Sequence, residues 1–148
     1  MLRHRASALA VLAALAALVA GCGGDKTDSY KSEYTKAAAE FKRSVDEAKA
    51  KFAQAPKLSD RIPAIEVFRA SMDRLASKLD DADPPDAVAK LNDQAVDVLH
   101  RFSGDLDSLR KAAAANDKHA VAGLAPKLQA DQAELQDVLD QIDQELRD

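Results

Sequence analysis

The chain has 148 residues, of which 47% are hydrophobic but only 4% aromatic, with no Trp, 5 Gly, 5 Pro and a single Cys. Its length suits one domain, the single cysteine rules out an intramolecular disulfide framework, and a net charge of −4 without a basic, aromatic-rich patch argues against a nucleic-acid partner. Alanine fills 31 positions and, with Leu, Lys, Gln and Asp, makes an all-α chain the expected class.

Residues 1–21 open with Arg3, His4 and Arg5, run on through an apolar stretch from Ala6 to Ala20 broken only by Ser7, and contain no acid. A basic n-region followed by an apolar h-region of about fifteen residues is the layout of a secretory signal. It falls short of the roughly 20 apolar residues that a membrane helix needs. Arg3 and Arg5 are its only Lys or Arg, so a chain without the segment moves from −4 to −6.

Cys22 follows Val19-Ala20-Gly21 directly. Small residues before a Cys at the end of an h-region resemble the lipobox of a bacterial lipoprotein precursor. That resemblance implies cleavage between Gly21 and Cys22, a diacylglycerol with palmitate-type chains on the Cys22 sulfur, and a cell-membrane location on the extracytoplasmic face. The physics fits: each buried methylene contributes about 0.8 kcal/mol, and anchoring becomes stable only with two chains. Residues 22–29 are then expected to form the lipidated Cys and a flexible tether, whose Gly23–Ser29 stretch reaches on the order of 15 Å. The bundle domain is assigned to residues 30–148.

Apolar residues recur at Tyr30, Tyr34, Ala37, Phe41, Val45, Ala48 and Phe52, a helical stripe with Asp28 or Ser29 as expected N-cap and Pro56 as its limit. Ser59 or Asp60 is expected to cap a second helix with Pro63 in its first turn and a stripe of Ile62, Ile65, Phe68, Met72, Leu75 and Leu79. Asp83 as N-cap, Pro84 at the first position and Asp86 at the third predict the start of a third helix, which follows Val88, Leu91, Ala95, Val98, Phe102, Leu106, Leu109 and Ala113. The acidic run around it lacks the glycine and terminal glutamate of a calcium loop. Asn116-Asp117 supplies a left-handed residue and then a new cap, so a fourth helix must return antiparallel through Val121, Leu124, Leu128, Leu135, Val138, Leu139, Ile142 and Leu146. Pro126, near Gly123, is expected to kink it or split off its first turn. Four striped helices on short connections predict an antiparallel up-down four-helix bundle.

Chemistry-bearing patterns are sparse. His100 lies away from its helix's stripe beside Asp93 and Asp97, and neither Glu-x-x-His motif of a di-iron bundle occurs. No Cys-x-x-Cys-His, Gly-x-Ser-x-Gly or phosphate loop is present, so no cofactor, metal or catalytic residue is expected. Polar interruptions in two stripes, at Asp105 and at Asp131 and Gln132, are the candidate lining of a ligand cavity. The Asp83-Pro84-Pro85 start, His100 and the Ala112–Asp117 turn resemble small Ala-rich helical lipoproteins of actinobacteria over residues 60–147, a family without an established activity. The function expected is therefore a non-enzymatic, membrane-anchored module of the cell envelope that is structural or engages an envelope protein. The alternative is binding of a small apolar ligand or lipid within the bundle.

Overall fold

The computed structural model describes residues 25–147, so the signal segment with Gly21, and Cys22 with Gly23 and Gly24, lie outside the described residues. Within those residues the elements are α1 (Asp25–Gln54), a 3-10 turn (Ser59–Arg61), α2 (Ile62–Asp80), α3 (Asp86–Ala114) and α4 (Lys118–Glu145), with no strand. Helices consecutive in sequence pack on each other, which gives the up-down-up-down bundle that the four stripes predict. One end, called the base below, holds the start of α1, the end of α2, the start of α3 and the end of α4. The opposite end is the top. At the base, α1 and α4 close the bundle through side chains: Lys31 Nζ donates to the Leu146 carbonyl at 2.8 Å and Tyr34 Oη to the Leu139 carbonyl at 3.3 Å.

The stripes of α1, α2 and α3 are buried much as their spacing dictates. Tyr30, Tyr34, Ala37, Phe41 and Val45 of α1 meet Ile65, Met72, Leu75, Ala76 and Leu79 of α2 and Val88, Ala95, Val98, Leu99, Phe102 and Leu106 of α3 in one continuous core, and Ala48 is buried beyond it. α4 behaves differently. Its burial begins only at Asp131 and continues through Leu135, Val138, Leu139 and Ile142, while no residue from Lys118 to Ala130 is buried. Val121, Leu124 and Leu128, expected in the stripe, are half-exposed.

Several boundaries move. α1 starts at Asp25, so residues 25–29, expected in the tether, are helical, and Asp28 and Ser29 lie inside the helix rather than capping it. Burial of Tyr30 and Tyr34 fixes the next turn, and an ion pair from Lys26 Nζ to Asp83 at 2.8 Å ties the new first turn to the α2–α3 connection. Asp83 is thereby a partner of α1 and not the cap of α3, which begins two residues beyond Pro84 with Pro85 in the N-cap position and no side-chain cap. Ser59 and Asp60 likewise cap nothing; they form the 3-10 turn that leads into α2.

The α3–α4 connection matches expectation. Asn116 adopts φ 52°, the Asn116 and Asp117 amides donate back to the carbonyls of Ala113 and Ala112, and Asp117 Oδ1 accepts from the amides of His119 and Ala120. Those bonds are a Schellman stop followed at once by an N-cap, which forces the antiparallel return. Pro126 does not split α4, which is continuous from Lys118 to Glu145. It still removes the bond that its own N–H would make to the Ala122 carbonyl.

Candidate functional site

Base and top of the bundle are packed differently, and the difference follows from side-chain volume. The base is filled by Tyr30, Tyr34, Leu79, Val88, Leu139, Ile142 and Leu146. Toward the top, α1 offers Ala48 before Phe52, and α4 offers Ala122, Gly123, Ala125 and Ala130, with Asp131 and Gln132 standing between Leu128 and Leu135. Interiors pack to near-crystalline density only where the facing volumes sum correctly. Here they do not, and a cleft of about 310 Å³ remains between the upper halves of the four helices.

Val45 and Phe52 from α1, Phe68 from α2, Phe102 and Leu106 from α3 and Leu128 from α4 form its apolar wall. Phe68 and Phe102 meet edge to face with centroids 5.5 Å apart, which stiffens the α2–α3 side. Polar groups in the lining are few: Lys49, Gln129 and Gln132. A cleft of this size and lining, apolar with a few polar groups, falls at the lower end of the roughly 300–1,000 Å³ typical of ligand sites.

Of the three residues singled out from the stripe interruptions, only Gln132 lines the cleft. Asp105 is half-buried and takes no part in the lining. Asp131 is turned into the α3–α4 contact instead, 4% exposed, with Oδ1 accepting from Arg101 Nε at 2.7 Å. Adjacent residues on a helix point about 100° apart, so one interruption serves two surfaces. His100 and His119 are exposed, and the described residues contain no group of three His, Cys, Asp or Glu side chains placed to hold a metal ion.

Below the cleft lies a polar cluster that periodicity could not reveal. Asn92 is buried in the α3 stripe, where its Oδ1 accepts from Tyr30 Oη at 2.8 Å and its Nδ2 donates to the Leu79 carbonyl at 2.9 Å. Burial pushes the Tyr30 phenol up to about 12. Burial also raises Tyr34, with the negative charge of Asp143 adding to it. On the α2–α3 face Asp107 gathers Lys111, Arg110 and Arg69 at 2.7, 3.1 and 3.3 Å, and Lys111 followed by Arg110 holds its carboxyl below the usual range. Ser103 donates to Asp73 at 2.5 Å rather than to any histidine.

Asp143 yields a pH-dependent prediction. Burial raises its carboxyl above the ordinary range against the opposing pull of Arg147. A raised folded-state value means that the native protein holds this proton more tightly than the unfolded chain. The group's contribution is therefore most favourable at acid pH and is lost as pH rises through the folded value. Asp143→Asn, which keeps the shape without the charge, is expected to raise the urea midpoint at about pH 7 and to lose that advantage near pH 3.5, below the unfolded carboxylate value of about 3.9. An equal gain at both pH values would contradict the assignment.

No described helix is long and apolar enough to cross a membrane. Comparison of the chain with protein-family models, with curated proteins and with solved structures finds no match in any of the three.

Proposed function

We propose that this protein is a lipid-anchored, non-catalytic binding module on the extracytoplasmic face of a bacterial membrane, and that its cleft receives a small apolar molecule. The cleft carries this reading. It is a 310 Å³ apolar volume at one end of a bundle whose other end is filled by the buried Tyr30, Tyr34, Leu139 and Ile142. The anchor rests on the sequence of residues 1–22, and the non-catalytic reading on the solvent exposure of His100 and His119.

Polarity follows from the chain. α1 starts three residues after Cys22, so an anchored protein holds its base toward the membrane. At 1.5 Å per residue, the Val45–Phe52 wall lies about 30–40 Å further along α1, facing away from the bilayer. A site so placed suits a ligand met in the extracytoplasmic space.

One measurement covers both parts. Mass spectrometry of the protein purified from its own host should show a covalent diacylglycerol mass on Cys22 and, under native conditions, a non-covalent apolar mass on the folded chain. Ala125→Trp puts a large side chain into the exposed α4 wall, and that variant should keep the first mass and lose the second. A bare Cys22 would remove the anchor, and a wild-type protein that never carries a second mass would remove the ligand.

A further inference from the structure

The charged groups around the cleft narrow its ligand to a chemical class, an inference that rests on the ligand-binding reading above. An anchored chain carries −6, yet the ionisable residue in the cleft lining is a cation, Lys49, and no carboxylate lines it. Lys49 precedes Phe52 by three residues and follows Val45 by four, so it shares their helix face at the top of the α1 wall.

A second cation packs on the Phe52 ring itself. The Arg61 guanidinium carbon lies 4.6 Å from the Phe52 centroid, and Arg61 shares a face with Ala64 and Ile65 of the α2 wall, three and four residues further on. Its Nε is buried and has no acceptor among the described residues, an uncompensated donor of a kind that native structures rarely keep. Phe52 thus carries one cation, Arg61, on its ring and shares a helix face with another, Lys49, which lines the cleft. At roughly 30 Å³ per water-sized group, 310 Å³ accommodates on the order of ten such groups, which is the bulk of a medium-length alkyl chain.

We infer that the cleft binds a single-chain anionic amphiphile, with its alkyl chain along the Phe68–Phe102–Leu128 wall and its carboxylate at Lys49, on the Phe52 side of the cleft where Arg61 adds positive charge. The head group meets a charge-assisted donor there, and the tail displaces water from surface that the four helices leave uncovered.

Calorimetric titration with decanoate and with the neutral decanol tests this on the chain from residue 22 onward carrying Cys22→Ser, which retains every core residue named above. Wild type is expected to bind decanoate at least tenfold more tightly than decanol. Lys49→Gln/Arg61→Gln is expected to erase that preference, decanoate losing at least tenfold more affinity than decanol. Lys49→Gln alone, which keeps the Arg61–Phe52 contact, should show an intermediate preference and an unaltered circular dichroism melt. Equal affinity for the two ligands in wild type, or a preference that survives the double variant, overturns the carboxylate site and leaves apolar binding standing. Failure of both ligands to bind overturns the apolar reading itself.

Discussion

Asn92→Ala is expected to lower the free energy of unfolding by about 3 kcal/mol, out of the 5–15 kcal/mol typical of a domain. Asn92 is 3% exposed and serves two elements at once, accepting from Tyr30 of α1 and donating to the last turn of α2 at Leu79. Truncation leaves a phenol that is 1% exposed without its acceptor and a helix-terminal carbonyl without this donor. The orphaned phenol costs about 1–3 kcal/mol, the Leu79 carbonyl keeps the Ala82 amide at 3.4 Å, and the lost side-chain volume adds to the cost. Tyr30→Phe, which orphans one atom, should cost about 1–2 kcal/mol. Tyr30→Phe/Asn92→Leu should cost less than the sum of Tyr30→Phe and Asn92→Ala, because apolar groups replace both partners. Urea denaturation with an unchanged m value measures all three. A loss below about 1 kcal/mol for Asn92→Ala would show that the cluster contributes little.

This cluster marks where sequence reading stops. Helix number, order and direction were legible because each stripe repeats at helical spacing and because Asn116-Asp117 carries its own stop and cap, both present in the structure. Starts were less legible. Asp28, Ser59 and Asp83 are all good capping residues, but packing of Tyr30 and the reach of Lys26 to Asp83 set the ends instead. Inside the α3 stripe, periodicity places Leu91 on the buried face, whereas Leu91 is half-exposed and Asn92 buried. One polar residue with two partners from other helices outweighs an apolar neighbour one position away, and those partners are far off in sequence.

The cleft was legible only in part. Gln132 was marked by the gap that it makes between Leu128 and Leu135, and it does line the site. The rest of the wall consists of ordinary stripe residues. Their role depends on what faces them, and the small side chains of α4 matter only once α4 is set opposite α1. Lys49 and Arg61 read as solvated surface in a sequence rich in both charges. That Lys49 lines the cleft and Arg61 packs on the Phe52 ring is a tertiary fact.

Removing the partner of Asp131 should cost more than removing Asp131 itself. Asp131 is 4% exposed, one carboxylate oxygen is held by Arg101 Nε at 2.7 Å, and the other is buried without a partner among the described residues. Arg101 also holds Glu134 and is half-exposed, so water offsets part of what the pair would otherwise contribute. Arg101→Met strands a buried charge and is expected to cost about 2–3 kcal/mol, below the 3–5 of a fully buried pair. Asp131→Leu joins Leu128 to Leu135 in an unbroken stripe, relieves the unpaired oxygen, and should be neutral or stabilising by about 1 kcal/mol. Because Asp131 faces α3 and Gln132 faces the cleft, Asp131→Leu should leave decanoate affinity unchanged while altering stability. The order of the two urea midpoints decides the matter. If Asp131→Leu unfolds as early as Arg101→Met, the ion pair is a net source of stability rather than a polar contact that packed leucine can replace.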